Sequence, residues 1–259
     1  MFLAIDVGNT QTTIGLLDDA GSTVHGWRMS TTATDTSDML HARIFTDFMM
    51  DGLDLGCVTA AGVACVVPRL SRAWCRCLTA HLGHQPLMVT AGQDYGMVVN
   101  MPDPRQVGAD RIANAIAARE TYGAPVIVVD FGTATNIDVV DAAGAYRGGT
   151  ISPGLMLSAD ALFSRAAKLS SVPVEAPGHT LGATTEEAVQ AGLVIGAAAQ
   201  AEGLVARIRA ELGAPTATVV GTGGLARTVS AATDVFDAID PDLTLRGIHR
   251  IWLHEQERN

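Results

Sequence analysis

A strand, a carboxylate, a glycine turn and a second strand occur in that order twice along this chain. The copies are Asp6-Val7-Gly8-Asn9-Thr10 and Asp130-Phe131-Gly132-Thr133-Ala134-Thr135, each after an apolar run. They begin about half the chain apart, which is the signature of an internal duplication. Each apolar run is short and is bounded by turn residues, as a buried strand is. Between the copies lie stretches with helical spacing, so strands and helices alternate. That order predicts an α/β fold of two similar halves with a cleft between them, where ligands of such folds bind. The division expected is residues 1–118 and 119–259, with the first turn and a Gly-Ala-Asp-Arg segment in the first half and the second turn in the other.

Local patterning supplies the elements. In the first half, strands are expected over 2–6, 12–17 and 23–29, a helix over 37–50, a strand within 57–67, a helix over 70–81 and a strand near 86–89. The stretch 92–106, with Pro102 and Pro104, reads as irregular, and a helix is expected over 111–122. In the second half, strands are expected over 125–130, 135–140 and 146–151, a helix over 154–169, a loop to 182 and a long helix over 186–212. A strand over 216–220 runs into Gly221-Thr222-Gly223-Gly224, and a helix starts near Leu225. Gly192, Gly196 and Gly203 interrupt the long helix, and close helix packing is the expected reason.

Composition narrows the function. The 259 residues are 48% hydrophobic and 17% charged, a globular balance with ample material for a core. A formal net charge of −10 opposes binding to nucleic acid. It also means that any bound phosphate must be held by local N–H donors and a metal ion. No uninterrupted apolar run reaches the ~18 residues of a membrane span, and the opening MFLAID has no basic n-region, so neither membrane nor signal peptide is expected. Cys57, Cys65, Cys75 and Cys77 form no zinc pattern and read as buried or incidental thiols. With them, a reducing, cytoplasmic setting is expected. His81, His84, His249 and His254 read as packing or surface residues.

Four motifs carry possible chemistry. In Asp6, Val7, Gly8, Asn9, Thr10, Gln11, Thr12 and Thr13, the glycine admits close approach of a ligand. Asn9 and the threonine hydroxyls can donate to phosphate oxygens, and Asp6 can hold Mg²⁺. An ordinary polar β-turn would carry the same residues. The second copy repeats the ingredients, and gripping a phosphate chain with two such turns suits phosphoryl transfer, which relies on positioning and charge neutralisation. Neither a P-loop nor a G-x-G-x-x-G follows a strand, and no G-x-S-x-G elbow is present. Gly221–Gly224 would border a nucleoside or simply form a tight strand-to-helix connection. In Val107-Gly108-Ala109-Asp110-Arg111, Asp110 can accept a proton from a substrate hydroxyl and Arg111 can pair with a carboxylate. Alternatively Asp110 is a helix cap beside a solvated arginine.

Over nearly the whole chain these residues resemble the type III pantothenate kinases of the actin/Hsp70/sugar-kinase superfamily. The resemblance rests on IDVGNT from Ile5, VVP from Val66, VGADRIANAIAA from Val107, VDFGTAT from Val129 and ISPG from Ile151. LFSRAAKL from Leu162, LGATTEEAVQAG from Leu181, TGGLA from Thr222 and DPDLTLRG from Asp240 extend it. It implies two RNase H-like domains, a homodimer, and use of ATP, Mg²⁺ and a monovalent cation (K⁺ or NH₄⁺) with pantothenate as acceptor. By position it implies ATP-phosphate binding by Asp6–Thr13 with Gly132 and Thr133. Asp110 falls on the proton acceptor, Gly108, Ala109, Asp110, Arg111 and Thr185 on pantothenate contacts, and Asp130 on the monovalent-cation ligand. Met101 stands where the family often has a substrate-contacting tyrosine. Gln11 stands for a common asparagine and Asn136 for a common threonine. Two other functions keep the same fold: a non-catalytic nucleotide-binding regulator, suggested by the Met101–Pro104 departure, and a kinase for another hydroxylated metabolite such as a sugar.

Overall fold

The computed structural model describes residues 1–166 and 169–258. The chain separates into two compact units. One holds Met1–Met97, Pro102–Ala117 and the chain from Asp242 onward; the other holds Val98–Met101 and Ala118–Pro241. A single cut at 118/119 therefore differs from this partition, because the C-terminal segment returns to the first unit.

In the first unit, β1 (Phe2–Val7), β2 (Gln11–Leu17) and β3 (Thr23–Ser30) form an antiparallel meander. Asp18 closes the β2–β3 hairpin, its carbonyl accepting from the Gly21 N–H and its side chain from the Ser22 N–H. α1 (Ser37–Met50) occupies the expected span and is capped by the Thr36 hydroxyl, which accepts from the Met39 N–H. β4 (Ala60–Cys65) pairs parallel with β1. α2 (Pro68–Leu82) begins two residues earlier than expected, because proline is well suited to the first helical position, where no N–H is needed. β5 (Leu87–Val89) completes the sheet in the order β3-β2-β1-β4-β5. Leu3, Ile5, Ile14, Leu40, Phe48 and Trp74 fill the core between this sheet and α1 and α2. α3 (Ala109–Tyr122) follows a single 3₁₀ turn, Pro104–Gln106.

The second unit repeats the plan. β6 (Val126–Phe131), β7 (Ala134–Val140) and β8 (Tyr146–Pro153) form the meander. Then come α4 (Leu155–Arg165), α5 (Thr185–Gln190), a π-helical turn Ala191–Ile195, α6 (Gly196–Leu212), β9 (Thr218–Thr222), α7 (Ala226–Ser230) and β10 (Ala238–Ile239). The sheet order is β10-β9-β6-β7-β8, with β9 parallel to β6 and β10 parallel to β9. Read from the meander outward, both sheets have one topology, as the duplicated motif requires. The helix expected over 154–169 runs into residues 167 and 168, which lie outside the described residues; α4 itself ends at Arg165.

The long helix is continuous from Thr185 to Leu212 but carries the π turn, and its glycines correct the sequence reading. A Cβ at Gly192, Gly196 or Gly203 would meet no atom of another element within 4 Å, so close packing is not their reason. Thr185–Leu212 is also long and apolar enough to cross a membrane by length and composition. Its inward face, Val194, Ala198, Ala201 and Val205, is part of the second unit's core with Ile127, Val129 and Val219.

No sequence expectation covered α8 (Leu243–Arg258). Its Leu245 and Ile248 lie against the first sheet, where Gly15 and Gly62 leave room for them, and a Cβ at Gly247 would collide with the backbone of Ala113 in α3. That close approach draws the C-terminus into the first unit.

Candidate active site

The first glycine turn sits where β1 ends beside β4. Asp6 is paired in register with Thr13 of β2 and Ala64 of β4. The Gly8 N–H donates to the Gln11 carbonyl at 3.0 Å, and the Thr31 N–H donates to the Thr10 carbonyl at 2.9 Å. These bonds hold the loop open at its tip, where Asn9, Thr10 and Gln11 are exposed. Val7 and Thr12 are buried. The Thr12 hydroxyl lies 2.9 Å from that of Thr31 and braces the turn. This amends the expectation of a phosphate donor at Thr12, since strand alternation turns that side chain inward.

The second turn has the same construction. The Gly132 N–H donates to the Ala134 carbonyl at 3.0 Å, and Gly132 and Thr133 are exposed. Asp130 stands in register with Asn136 on β7 and Thr222 on β9. Two further glycines shape this place. Gly223 has φ +89°, and a Cβ there would collide with Asp130 Oδ1 and come within 2.7 Å of the Phe131 carbonyl. Gly154 donates its N–H to the Thr133 carbonyl at 3.1 Å and leaves no room for a Cβ against Gly132 and Thr133. The Gly221–Gly224 run is thus a tight strand-to-helix connection folded against the Asp130 carboxylate.

Among the described residues, no group of three or more His, Cys, Asp or Glu could cage a metal ion. Mg²⁺ needs no such cage, since it usually takes one or two carboxylates together with substrate phosphates and water. Half-buried Asp6, beside the first glycine turn, is a carboxylate that could serve in this way, and half-buried Asp130 stands beside the second turn.

Gly108–Arg111 opens α3. The Gly108 carbonyl accepts from the Ile112 N–H at 3.1 Å, so Gly108 caps the helix and Asp110 lies inside its first turn. Asp110 Oδ1 is buried without a hydrogen-bond partner, and a Cβ at Gly108 would collide with it. Burial raises the Asp110 carboxyl above the usual range, more than the backbone N–H and the guanidinium of Arg111 lower it. A carboxylate of raised proton affinity with an uncommitted oxygen suits proton acceptance.

Beside this turn is a cavity of about 550 Å³ within the first unit. It lies at the C-terminal ends of β4 and β5, with Gly108 and Ala109 in one wall and Cys65, Arg72, Thr90 and Arg105 among the others. No sequence signal marked Arg72 or Thr90, because the helix and strand that carry them meet only in the fold. Gly108–Arg111 and Asp6–Thr13 belong to the first unit; Met101, Asp130, Gly132, Thr133 and Thr185 belong to the second. Met101 follows a segment hydrogen-bonded to Tyr146, at the start of β8. Thr185 is exposed on the first turn of α5, which Thr184 and Glu187 close with a capping box.

His81 bonds the Leu55 carbonyl, His84 the Thr59 carbonyl, and His249 is buried against Phe2 and Trp252. The cysteines are unpaired, and burial pushes Cys77 up to about 11.

Two α/β repeats of one topology, each presenting a carboxylate and an exposed glycine turn, define the actin-like ATPase and sugar-kinase fold. Solved structures share it: a putative Baf family transcriptional activator from Campylobacter jejuni has a TM-score of 0.63 at 16% identity, covering 98% of this chain and 99% of its own. The ADPNP-bound activator of 2-hydroxyisocaproyl-CoA dehydratase from Clostridium difficile has a TM-score of 0.58 at 12% identity, covering 99% and 96%. Within that fold the chain belongs to the type III pantothenate kinase family, which matches residues 2–207. It is 43% identical to the type III pantothenate kinase of Thermomicrobium roseum over 96% of this chain and 95% of the relative. With that of Moorella thermoacetica it shares 41% identity over 100% of both.

Proposed function

We propose that this chain transfers the γ-phosphoryl group of ATP to the primary hydroxyl of pantothenate, giving 4′-phosphopantothenate, the first step of coenzyme A biosynthesis. The observation that carries this reading is the buried, unpartnered Oδ1 of Asp110 at the head of α3, in a chain similar over its full length to enzymes of that name. Asp110 accepts the hydroxyl proton as the oxygen attacks the γ-phosphorus and ADP departs. The N–H groups of the Asp6–Thr13 loop and the side chains of Asn9 and Thr10 hold the ATP phosphates, and Gly132 and Thr133 add donors from the second repeat. Asp6 would hold Mg²⁺, which neutralises charge on the phosphates when bound; Asp130 would hold a monovalent cation. Gly108–Arg111, Met101 and Thr185 form the pantothenate contacts. The remaining parts of the reading are a homodimer working in the cytoplasm, with no nucleic-acid or membrane partner; the net charge of −10 supports the absence of nucleic acid.

The test is an ADP-coupled assay with ATP, Mg²⁺, K⁺ and pantothenate, run beside a panel of sugars. Phosphopantothenate is the expected product. Product from a sugar and none from pantothenate would replace the substrate, and no product from any acceptor with ATP still bound would replace the enzyme with a regulator.

A further inference from the structure

Three sulfur-bearing side chains, Cys65, Cys75 and Met88, share the wall of the cavity at the ends of β4 and β5, and the reaction above uses none of them. Met88 pairs with Val63 in the parallel β4–β5 ladder, and Cys65 lies two residues beyond Val63. Strand alternation therefore puts Cys65 and Met88 on one face of the sheet. That is the face α2 covers, since both pack against the cluster that holds Val63, Trp74 and Leu78. The Cys65 thiol donates to the Val67 carbonyl at 3.2 Å and is hydrogen-bonded to Ser71 on the first turn of α2. Cys75 stands one turn further along the same helix face, where residues four apart have Cβ atoms about 5–6 Å from each other.

Two thiols and a thioether are soft donors, and soft donors select Cu(I), which is satisfied by two or three sulfurs. Among the described residues no third His, Cys, Asp or Glu joins the two thiols, so zinc and iron–sulfur centres, which want four protein ligands, are not served here. Burial pushes the Cys65 thiol up more than its bond to Ser71 lowers it, so the thiol keeps its proton until a metal displaces it. Binding would release both thiol protons to solvent with no change of oxidation state. Two thiolates and Cu(I) then carry one net negative charge, and the guanidinium of Arg72 in the same wall offsets it.

We infer that Cys65, Cys75 and Met88 form a binding site for Cu(I) in this cavity. The experiment titrates the intact, reduced protein without oxygen against the coloured Cu(I) complex of bathocuproine disulfonate and reads the loss of colour. Capture of one Cu(I) per chain is expected, with X-ray absorption showing sulfur neighbours alone. Cys65→Ser and Cys75→Ser should each weaken capture by more than about tenfold, the least that loss of even an outer partner of a metal site costs. Met88→Leu, which conserves volume, should weaken it less. Cys57→Ala and Cys77→Ala should leave it unchanged, because neither side chain lines the cavity. Circular dichroism of each variant separates loss of a ligand from loss of the fold. Cys75 is half-buried, so its variant decides even where Cys65→Ser unfolds. No withdrawal of Cu(I) from the chelator, equal capture after Cys75→Ser, or nitrogen and oxygen neighbours at the metal overturns the site.

Discussion

Replacing Asp110 with asparagine should make this protein slower and more stable at once. The carboxylate stands with Oδ1 buried and unpartnered, and burial raises its proton affinity. A group whose folded-state pKa is raised costs stability once the pH is above its unfolded value, because the folded protein must hold the charged form. That cost grows as pH rises from the unfolded value toward the raised folded one. Asparagine has nearly the same shape and no charge, so it is cheaper to bury. Asparagine keeps an oxygen acceptor at this place and removes only the buried charge, which is worth about 1–3 kcal/mol, and at this chain length each kcal/mol moves Tm by about 2–4 °C. Turnover should fall by about 10²–10⁴-fold, the usual contribution of a general base. The asparagine cannot take the hydroxyl proton, whereas the phosphate-binding turns are untouched, so nucleotide binding should persist. The assays are steady-state phosphorylation of pantothenate, calorimetric titration with a non-hydrolysable ATP analogue, and a thermal melt at pH 7 and pH 4. The gain in Tm should shrink at the lower pH, where the wild-type carboxyl takes up its proton. Unchanged turnover refutes the proton-acceptor role, and a lower Tm with loss of nucleotide binding refutes the physical argument from burial.

Three further outcomes follow from particular contacts. Gly223→Ala should destabilise the protein by about 1–3 kcal/mol, since it forces a positive φ on alanine and a Cβ into Asp130, whereas Gly192→Ala, with open space around it, should stabilise by about 0.5–1 kcal/mol; opposite shifts in urea midpoint check this. Burial and Arg250 lower the affinity of His249 for a proton, against smaller upward effects of Asp18 and Asp19. The unfolded chain therefore binds the proton more readily, and stability should fall as pH drops below about 6.5 toward the lowered folded value. His249→Phe, stacked in the same place between Phe2 and Trp252, should flatten that slope in urea melts between pH 5 and 8. Stripping Mg²⁺ with EDTA should abolish phosphorylation while leaving the far-ultraviolet circular dichroism unchanged, because Mg²⁺ of this kind is held largely by the nucleotide phosphates and water.

The amino-acid sequence on its own determined the duplication, the order of strands and helices and the two glycine turns. Those features are local: alternation of apolar residues, a proline at a helix start, a glycine where φ is positive or the chain must pass close. Hence the expected span of α1 coincides with the observed helix, and the two sheets share the topology that the repeated motif required. The Gly-Ala-Asp-Arg segment was legible as a helix opening, but whether Asp110 capped that helix or faced inward was not. Only the tertiary structure decided it, because burial of one oxygen depends on residues brought in from elsewhere. The same holds for Thr12, which turns to Thr31, for Gly223 and Gly154, which make room beside the second turn, and for α8, which returns to the first sheet over the whole length of the chain. The cavity at the ends of β4 and β5 is the extreme case. It exists only because α2, β5 and the head of α3 meet in the fold, since side chains distant along the chain come together through packing that no local pattern records.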